Sequence, residues 1–254
     1  MKNILLLAIF GLTISCTPNK DITDIDSLLD AMYTRYQGVW FESFSFSQET
    51  IRYDSSGAIQ STAIWYEAVQ YPDFFRIDFN DEQQRKVVFA SDSAYRFVGD
   101  SLALVRYEPQ EFLLFKGGMY KRSKEDSKNK LKEYGYDLSI FREDILDGRP
   151  AYVIGAEQGD LTTKQFWIDK EHFYTVRRIS TQRSGAVLDV QYSDHNAIGG
   201  GWVEEDVRFF LDGRLIQDEI YFGVKVWDEM NPAIFDKSNP VPLLRTELNM
   251  KEDR

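Results

Sequence analysis

The residue types that make and break bonds are scarce in this 254-residue chain, and their spacing does not favour chemistry. There are two histidines: His172 ends the turn-forming run Asp169-Lys170-Glu171-His172, and His195 falls in a predicted loop beside Asp194. Adjacency in sequence does not make a proton-relay dyad, and the chain has no Gly-x-Ser-x-Gly elbow to present a nucleophile. Both histidines therefore read as surface residues. Two histidines and one cysteine do not compose a zinc site. Glu204-Glu205-Asp206 alternates between the faces of a strand and reads as solvated acids. Gly199-Gly200-Gly201 lacks the Lys-Ser/Thr of a phosphate loop and precedes a strand, so a turn or bulge explains it better. The expectation is a protein that is not an enzyme, with no metal and no cofactor.

The remaining reactive residue is Cys16, the single cysteine, which rules out a disulfide framework. It closes a segment in which Lys2 precedes an apolar run from Ile4 to Ile14 and then Ser15. That run is too short to span a bilayer, and its order of charge, apolar core and small residue is that of a secretion signal. Leu12-Thr13-Ile14-Ser15-Cys16 resembles a bacterial lipobox, with Thr13 where the usual leucine would stand. This resemblance implies removal of residues 1–15, lipid attachment at Cys16 and a membrane partner, because two or three acyl chains anchor durably where one is marginal. Thr17 is not the Asp associated with inner-membrane retention. The expected location is the bacterial envelope, lipid-anchored on the outer membrane and facing the periplasm.

Composition bounds the partners. The chain is 43% hydrophobic, 28% charged and 15% aromatic, enough to bury one large core, and carries a net charge of −11. Such an acidic surface repels phosphate backbones, so the abundant aromatics are not a nucleic-acid stacking platform. They are core or cavity lining.

The elements that must position them are mostly strands. Tyr152 to Gln191 contains four short β-branched and aromatic runs separated by Gln158-Gly159-Asp160, Asp169-Lys170-Glu171-His172 and Ser184-Gly185, the pattern of an antiparallel meander. Upstream, the spacing predicts strands over Val39–Tyr53, Ile59–Gln70, Phe74–Phe79, Lys86–Ser91, Ala94–Val98 and Leu102–Tyr107. Downstream it predicts a hairpin of Phe141–Leu146 with Ala151–Ala156, then another of Trp202–Leu211 with Leu215–Trp227. On the last strand Ile216, Ile220, Phe222, Val224 and Val226 are expected to share a face. A helix is predicted over Asp24–Gln37, where Ile25, Leu28, Leu29, Met32, Tyr33 and Tyr36 form one apolar stripe between an Asp24 cap and Gly38. That stripe covers a sheet or plugs the mouth of a curved one. Two more helices are expected, one opening at Glu108-Pro109 and ending at Gly117-Gly118, the other over Ser123–Glu133. Beyond Asn231-Pro232 the chain reads as a draped or mobile tail.

Several strands are apolar on both faces, as in Ile64-Trp65-Tyr66, which suits either a sandwich or a strongly curved sheet with a lined concave face. Here a resemblance enters. Tyr71-Pro72-Asp73-Phe74-Phe75-Arg76-Ile77-Asp78 after the second strand, and Phe166-Trp167-Ile168-Asp169 before Val176-Arg177-Arg178, resemble the bacterial lipoprotein-sorting carrier superfamily (LolA/LolB-like) over most of residues 24–227. The resemblance implies a mainly β (α+β) fold, a curved antiparallel sheet forming an incomplete β-barrel covered by helices, whose apolar interior takes acyl chains. It implies a tether over 16–23, a half-barrel domain over 24–230 and a tail over 231–254. The carrier's Arg before the motif proline, linked to lid control, is Tyr71 here. Chosen for size and strand position, Phe44, Phe46, Trp65, Phe74, Phe79, Phe97, Trp167, Phe209 and Phe222 are expected to line the cavity and bind a lipid or acylated-protein ligand. The alternative is an envelope interaction or sensor scaffold on the same fold.

Overall fold

The computed structural model describes residues 21–241; Cys16 and the signal segment lie outside them. Thirteen antiparallel strands form one sheet: β1 (Ser43–Tyr53), β2 (Ile59–Gln70), β3 (Phe74–Phe79), β4 (Lys86–Ala90), β5 (Ser93–Val98), β6 (Ser101–Tyr107), β7 (Phe141–Leu146), β8 (Arg149–Ile154), β9 (Gln165–Asp169), β10 (Thr175–Thr181), β11 (Val187–Ile198), β12 (Gly201–Leu211) and β13 (Arg214–Trp227). Their spatial order is β6-β5-β4-β3-β2-β1-β13-β12-β11-β10-β9-β8-β7. Two meanders therefore spread from one seam, where β1 pairs with β13, and the sheet stays open between β6 and β7. The turns follow local chemistry: Asp147-Gly148, Gly199-Gly200 and Asp212-Gly213 each place two residues at positive φ, the backbone that a two-residue hairpin requires.

Helix α1 (Ile25–Tyr36) begins at a capping box in which the Asp24 side chain accepts from Ser27 N, and it buries Ile25, Leu28, Leu29, Met32 and Tyr36. These residues pack on the sheet face that carries Phe44, Phe46, Val69, Phe75 and Phe89 from one meander and Ile154, Phe166, Ile168, Val190 and Val207 from the other. We call this face concave. The rest of its cover is α2 (Glu111–Leu113), a π-turn (Leu114–Gly118), α3 (Met119–Lys121) and α4 (Lys124–Glu133), the last capped by Ser123.

Several expectations change. The first strand opens at Ser43, because Trp40 and Phe41 turn into the core instead of pairing. The helix after Pro109 starts at Glu111, and Gly117-Gly118 does not end it but carries it through a kink into α3. His195 lies within β11, not in a loop; Asp194, at φ 53°, bends the strand without breaking it. Val224 and Val226 pack on the concave core, whereas Ile220 is exposed and Phe222 shares its side. The cause is a register shift between Phe222 and Lys225 that contains Gly223 at φ 62°, and it reverses the alternation of faces.

The segment after β13 is draped. A 3₁₀ turn (Pro232–Phe235) sets Ile234 and Phe235 on the convex face against Tyr66, Ala68, Val88 and Phe97. Beneath it, Arg76 is fully buried, pairs with Asp78 at 2.6 Å and donates to the carbonyls of Ile234 (2.7 Å) and Val241 (2.6 Å). A buried guanidinium needs this many acceptors, which is why an Arg in the middle of a strand is tolerated there.

Candidate functional site on the concave face

The pleat divides the nine cavity candidates. Phe44↔Val69 and Phe46↔Glu67 are paired between β1 and β2, Trp65↔Phe79 between β2 and β3, and Val190↔Phe209 between β11 and β12. Five of the nine, Phe44, Phe46, Trp65, Phe79 and Phe209, thus lie on the concave side with Val69 and Val190. The other four are on the convex side: Phe74 and Phe97 lie under the 230–235 segment, Trp167 packs with Val153 and Tyr174, and Phe222 lies beside Ile220. Size and strand membership locate an aromatic in a sheet; parity against known core positions decides its face.

The concave face is filled by the protein's own side chains. Phe75 stacks on Phe89 at 5.5 Å and on Phe112 of the cover at 4.8 Å, while Phe115 and Tyr136 close around Phe166 at 5.0 and 5.1 Å. The space between Phe112, Lys116, Tyr192 and Glu204 is only about 10 Å³, room for one water at most. A chain-sized ligand would enter only where the cover is displaced.

At the centre of this apolar region is a group of charges that sequence reasoning missed. Lys116, on the π-turn, forms an ion pair with Glu204 of β12, and the two side chains are 3% and 7% exposed. Glu204 is therefore interior rather than solvated. Its counter-charge lies 88 positions earlier in sequence, so nothing local distinguishes it from Glu205. The Lys116 ammonium is also 4.4 Å from the Tyr221 ring centre, 5.0 Å from Phe112, 5.4 Å from Phe46 and 5.7 Å from Phe44. Two further buried acids look into the same region. Burial, with the neighbouring Glu219 charge, raises the Glu67 carboxyl well above its ordinary range. Glu219 is pushed up to about 7 by burial, against hydrogen bonds from Gln217 (2.6 Å) and Tyr221 (3.3 Å). Burial likewise lowers Lys116, offset by the Glu204 charge.

Polar ties hold the cover down at its margins. The Tyr36 hydroxyl donates to His172 O and the Tyr120 hydroxyl to Phe173 O, both at 2.5 Å, and Arg35 donates to Glu171 O. Three consecutive carbonyls of the β9–β10 turn thus clasp α1 and α3. On the cover's other flank, Glu111 accepts from Arg178 (2.6 Å), Lys164 (2.5 Å) and Tyr136 (3.0 Å). The clasping turn also borders an open cleft of about 610 Å³, lined by Arg149, Asp169, His172, Tyr174, His195 and Trp202. Here the His195 ring stacks on Tyr174 at 3.7 Å, and its Nε2 lies 3.1 Å from Thr175 O. Neither histidine is a plain surface residue.

No family model matches the sequence, and no curated protein matches it. Solved structures do. A LolA superfamily protein from Nitrosomonas europaea is similar over 85% of this chain and 98% of its own, with 12% identity and a TM-score of 0.54. A domain described as an outer membrane lipoprotein-sorting protein from Vibrio parahaemolyticus is similar over 84% and 96%, with 12% identity and a TM-score of 0.55. A DUF1329 family protein from Desulfovibrio piger is similar over 84% and 95%, with 14% identity and a TM-score of 0.55. The open thirteen-stranded sheet with its helical cover is thus a LolA-like fold, shared with these chains over most of its length.

Proposed function

We propose that this protein binds a hydrophobic ligand, a lipid or the acyl chains of a lipoprotein, non-covalently on the concave face after the 111–121 segment lifts. The observation that carries this reading is the make-up of that face. Aromatic and aliphatic side chains from both meanders run together across the seam, and the cover over them is broken at Gly117-Gly118 rather than built as one stiff helix. The fold shared with a lipoprotein-sorting domain supports the same ligand class. At about 25 cal/mol per Å², a few hundred Å² of acyl chain would contribute several kcal/mol, the range needed to offset the contacts that the cover gives up. No catalytic step belongs to this reading. Attachment through an acylated Cys16, and a place on the outer membrane facing the periplasm, complete it.

Native mass spectrometry of the chain carrying Cys16→Ser, expressed in a bacterial periplasm, tests it. A co-purifying lipid mass that is lost in Phe79→Asp, but kept in the convex-face variant Phe97→Ala, is the expected result. A chain that stays ligand-free after incubation with phospholipids and acylated peptides refutes it.

A second reading has its own support. The concave face is already filled, and the edge strand β6 exposes Leu102, Leu104, Val105 and Tyr107. An unpaired apolar edge can add a partner's strand, so a scaffold that docks another envelope protein at β6 is the alternative. Loss of that contact in Leu104→Lys, with no lipid bound to the parent chain, would select it.

A further inference from the structure

We propose that the concave face contains an ammonium-recognition site, occupied by the chain's own Lys116 while the cover is shut, and that the ligand is an amphiphile with a cationic amine head. The proposal rests on the hydrophobic-ligand reading above.

The parts of the site belong to the sheet, whereas the cation belongs to the cover. Phe44 and Phe46 come from β1, Glu67 from β2, Glu204 from β12, and Glu219 and Tyr221 from β13. Lys116 and Phe112 lie on the 111–121 segment and would leave with it. One ammonium thus sits among three buried carboxyl groups and the faces of aromatic rings. Acids and rings around a cation are the chemistry by which proteins hold ammonium groups. Glu67 strengthens the case: it is 2% exposed and lies within electrostatic reach of both Lys116 and Glu219, so the pocket holds more acidic groups than the one that Lys116 pairs with.

The energetics choose between ligand heads. A plain hydrocarbon replacing Lys116 would leave Glu204 buried without its counter-charge, which costs more than the hydrocarbon gains there. An anionic head would be repelled by the Glu204 carboxylate and would leave it without a counter-charge. An amine head restores both the ion pair and the ring contacts that the displaced Lys116 made. A lipid amine and the amine of an acylated peptide present the same group; the number of hydrogens on nitrogen separates how it is held, since only a primary amine donates to the carboxylates.

Calorimetric titration of the Cys16→Ser chain with twelve-carbon amphiphiles is the test, in about 0.3 M salt to screen the general acidity of the surface. The probes are dodecylamine, dodecyltrimethylammonium, dodecyl maltoside and dodecanoate, each below its micelle concentration. The two cations should bind at least about tenfold tighter than the neutral and anionic probes. Lys116→Met should strengthen cation binding further by removing the tethered competitor, and Glu67→Gln with Glu219→Gln should weaken the cationic preference that Glu204 sets. Those Gln variants remove buried charge, so they serve as the test even where Lys116→Met fails to fold. Equal binding of all four probes overturns the ammonium site and leaves the carrier reading standing. Binding of none overturns both.

Discussion

A Cβ placed on Gly117 would lie 2.6 Å from the Tyr71 hydroxyl oxygen, so the kink of the cover fits against that ring only as glycine. Gly117 has φ 175°, ordinary extended backbone, and the constraint is therefore steric rather than conformational. Tyr71 is buried and cannot swing away. The lower entropy of the unfolded chain alone would make Gly117→Ala stabilising by up to about 1 kcal/mol. Overpacking against Tyr71 reverses the sign, and we expect a loss of about 1–3 kcal/mol in urea unfolding. A neutral or stabilising result would mean that the cover does not pack on Tyr71 as described.

Stability should fall as pH rises from 4.5 through 7. The Glu219 carboxyl, ordinarily near 4.5, is pushed up to about 7 by burial, so the folded state holds a proton that the unfolded chain releases over this window. Above about 7 both states are ionised and the penalty, of order 3 kcal/mol, is constant. Glu219→Gln should flatten this part of the pH–stability curve and raise stability at pH 8. Unchanged curves in the variant would place the titration elsewhere.

His195 gives the opposite limb. Burial pulls its imidazole from 6.5 down to about 3, and the neutral ring donates from Nε2 to Thr175 O. The unfolded chain gains this proton near 6.5 and the folded chain does not, so the contribution is absent above 6.5 and grows as pH falls toward 3, to about 4 kcal/mol. Imidazole ¹⁵N shifts should keep His195 neutral down to pH 5. A midpoint near 6.5 would contradict the burial of this ring.

Phe235→Ala should destabilise the fold by about 3 kcal/mol, because the ring is 4% exposed and packs at 5.6 Å from Phe74 on the convex face. Acyl-probe binding should be unchanged once the variant is folded, since the sheet separates the two faces. Loss of binding without loss of stability would place the ligand site on the convex side.

Much of the fold was legible in the sequence. β2 and β3 begin and end where β-branched and aromatic runs meet turn-forming residues, and α1 lies between its Asp24 cap and Gly38. Local signals sufficed because every strand pairing except that of β1 with β13 joins sequence neighbours. The site was legible only in part. Phe74 and Phe75 look alike in sequence, and a single step of the pleat sends one beneath the 230–235 segment and the other beneath Phe112. Nothing local singled out Lys116, and Glu204 read as one of three solvated acids, because their meaning lies in a contact between distant segments. Asp194 and Asn196, good turn formers, concealed the continuity of β11 around His195.

The β1–β13 seam also sets an order of events during synthesis. Among the described residues β1 is the first strand to leave the ribosome, and the strand that completes its hydrogen bonding is the last to emerge. Until then the first meander has two free edges, one of them along Phe44 and Phe46, with an unburied aromatic face beside it. Assembly is therefore committed only when Arg214–Trp227 arrives, and a nascent chain stalled before that point is the form of this protein most exposed to chaperones, proteases and mispairing with its own copies.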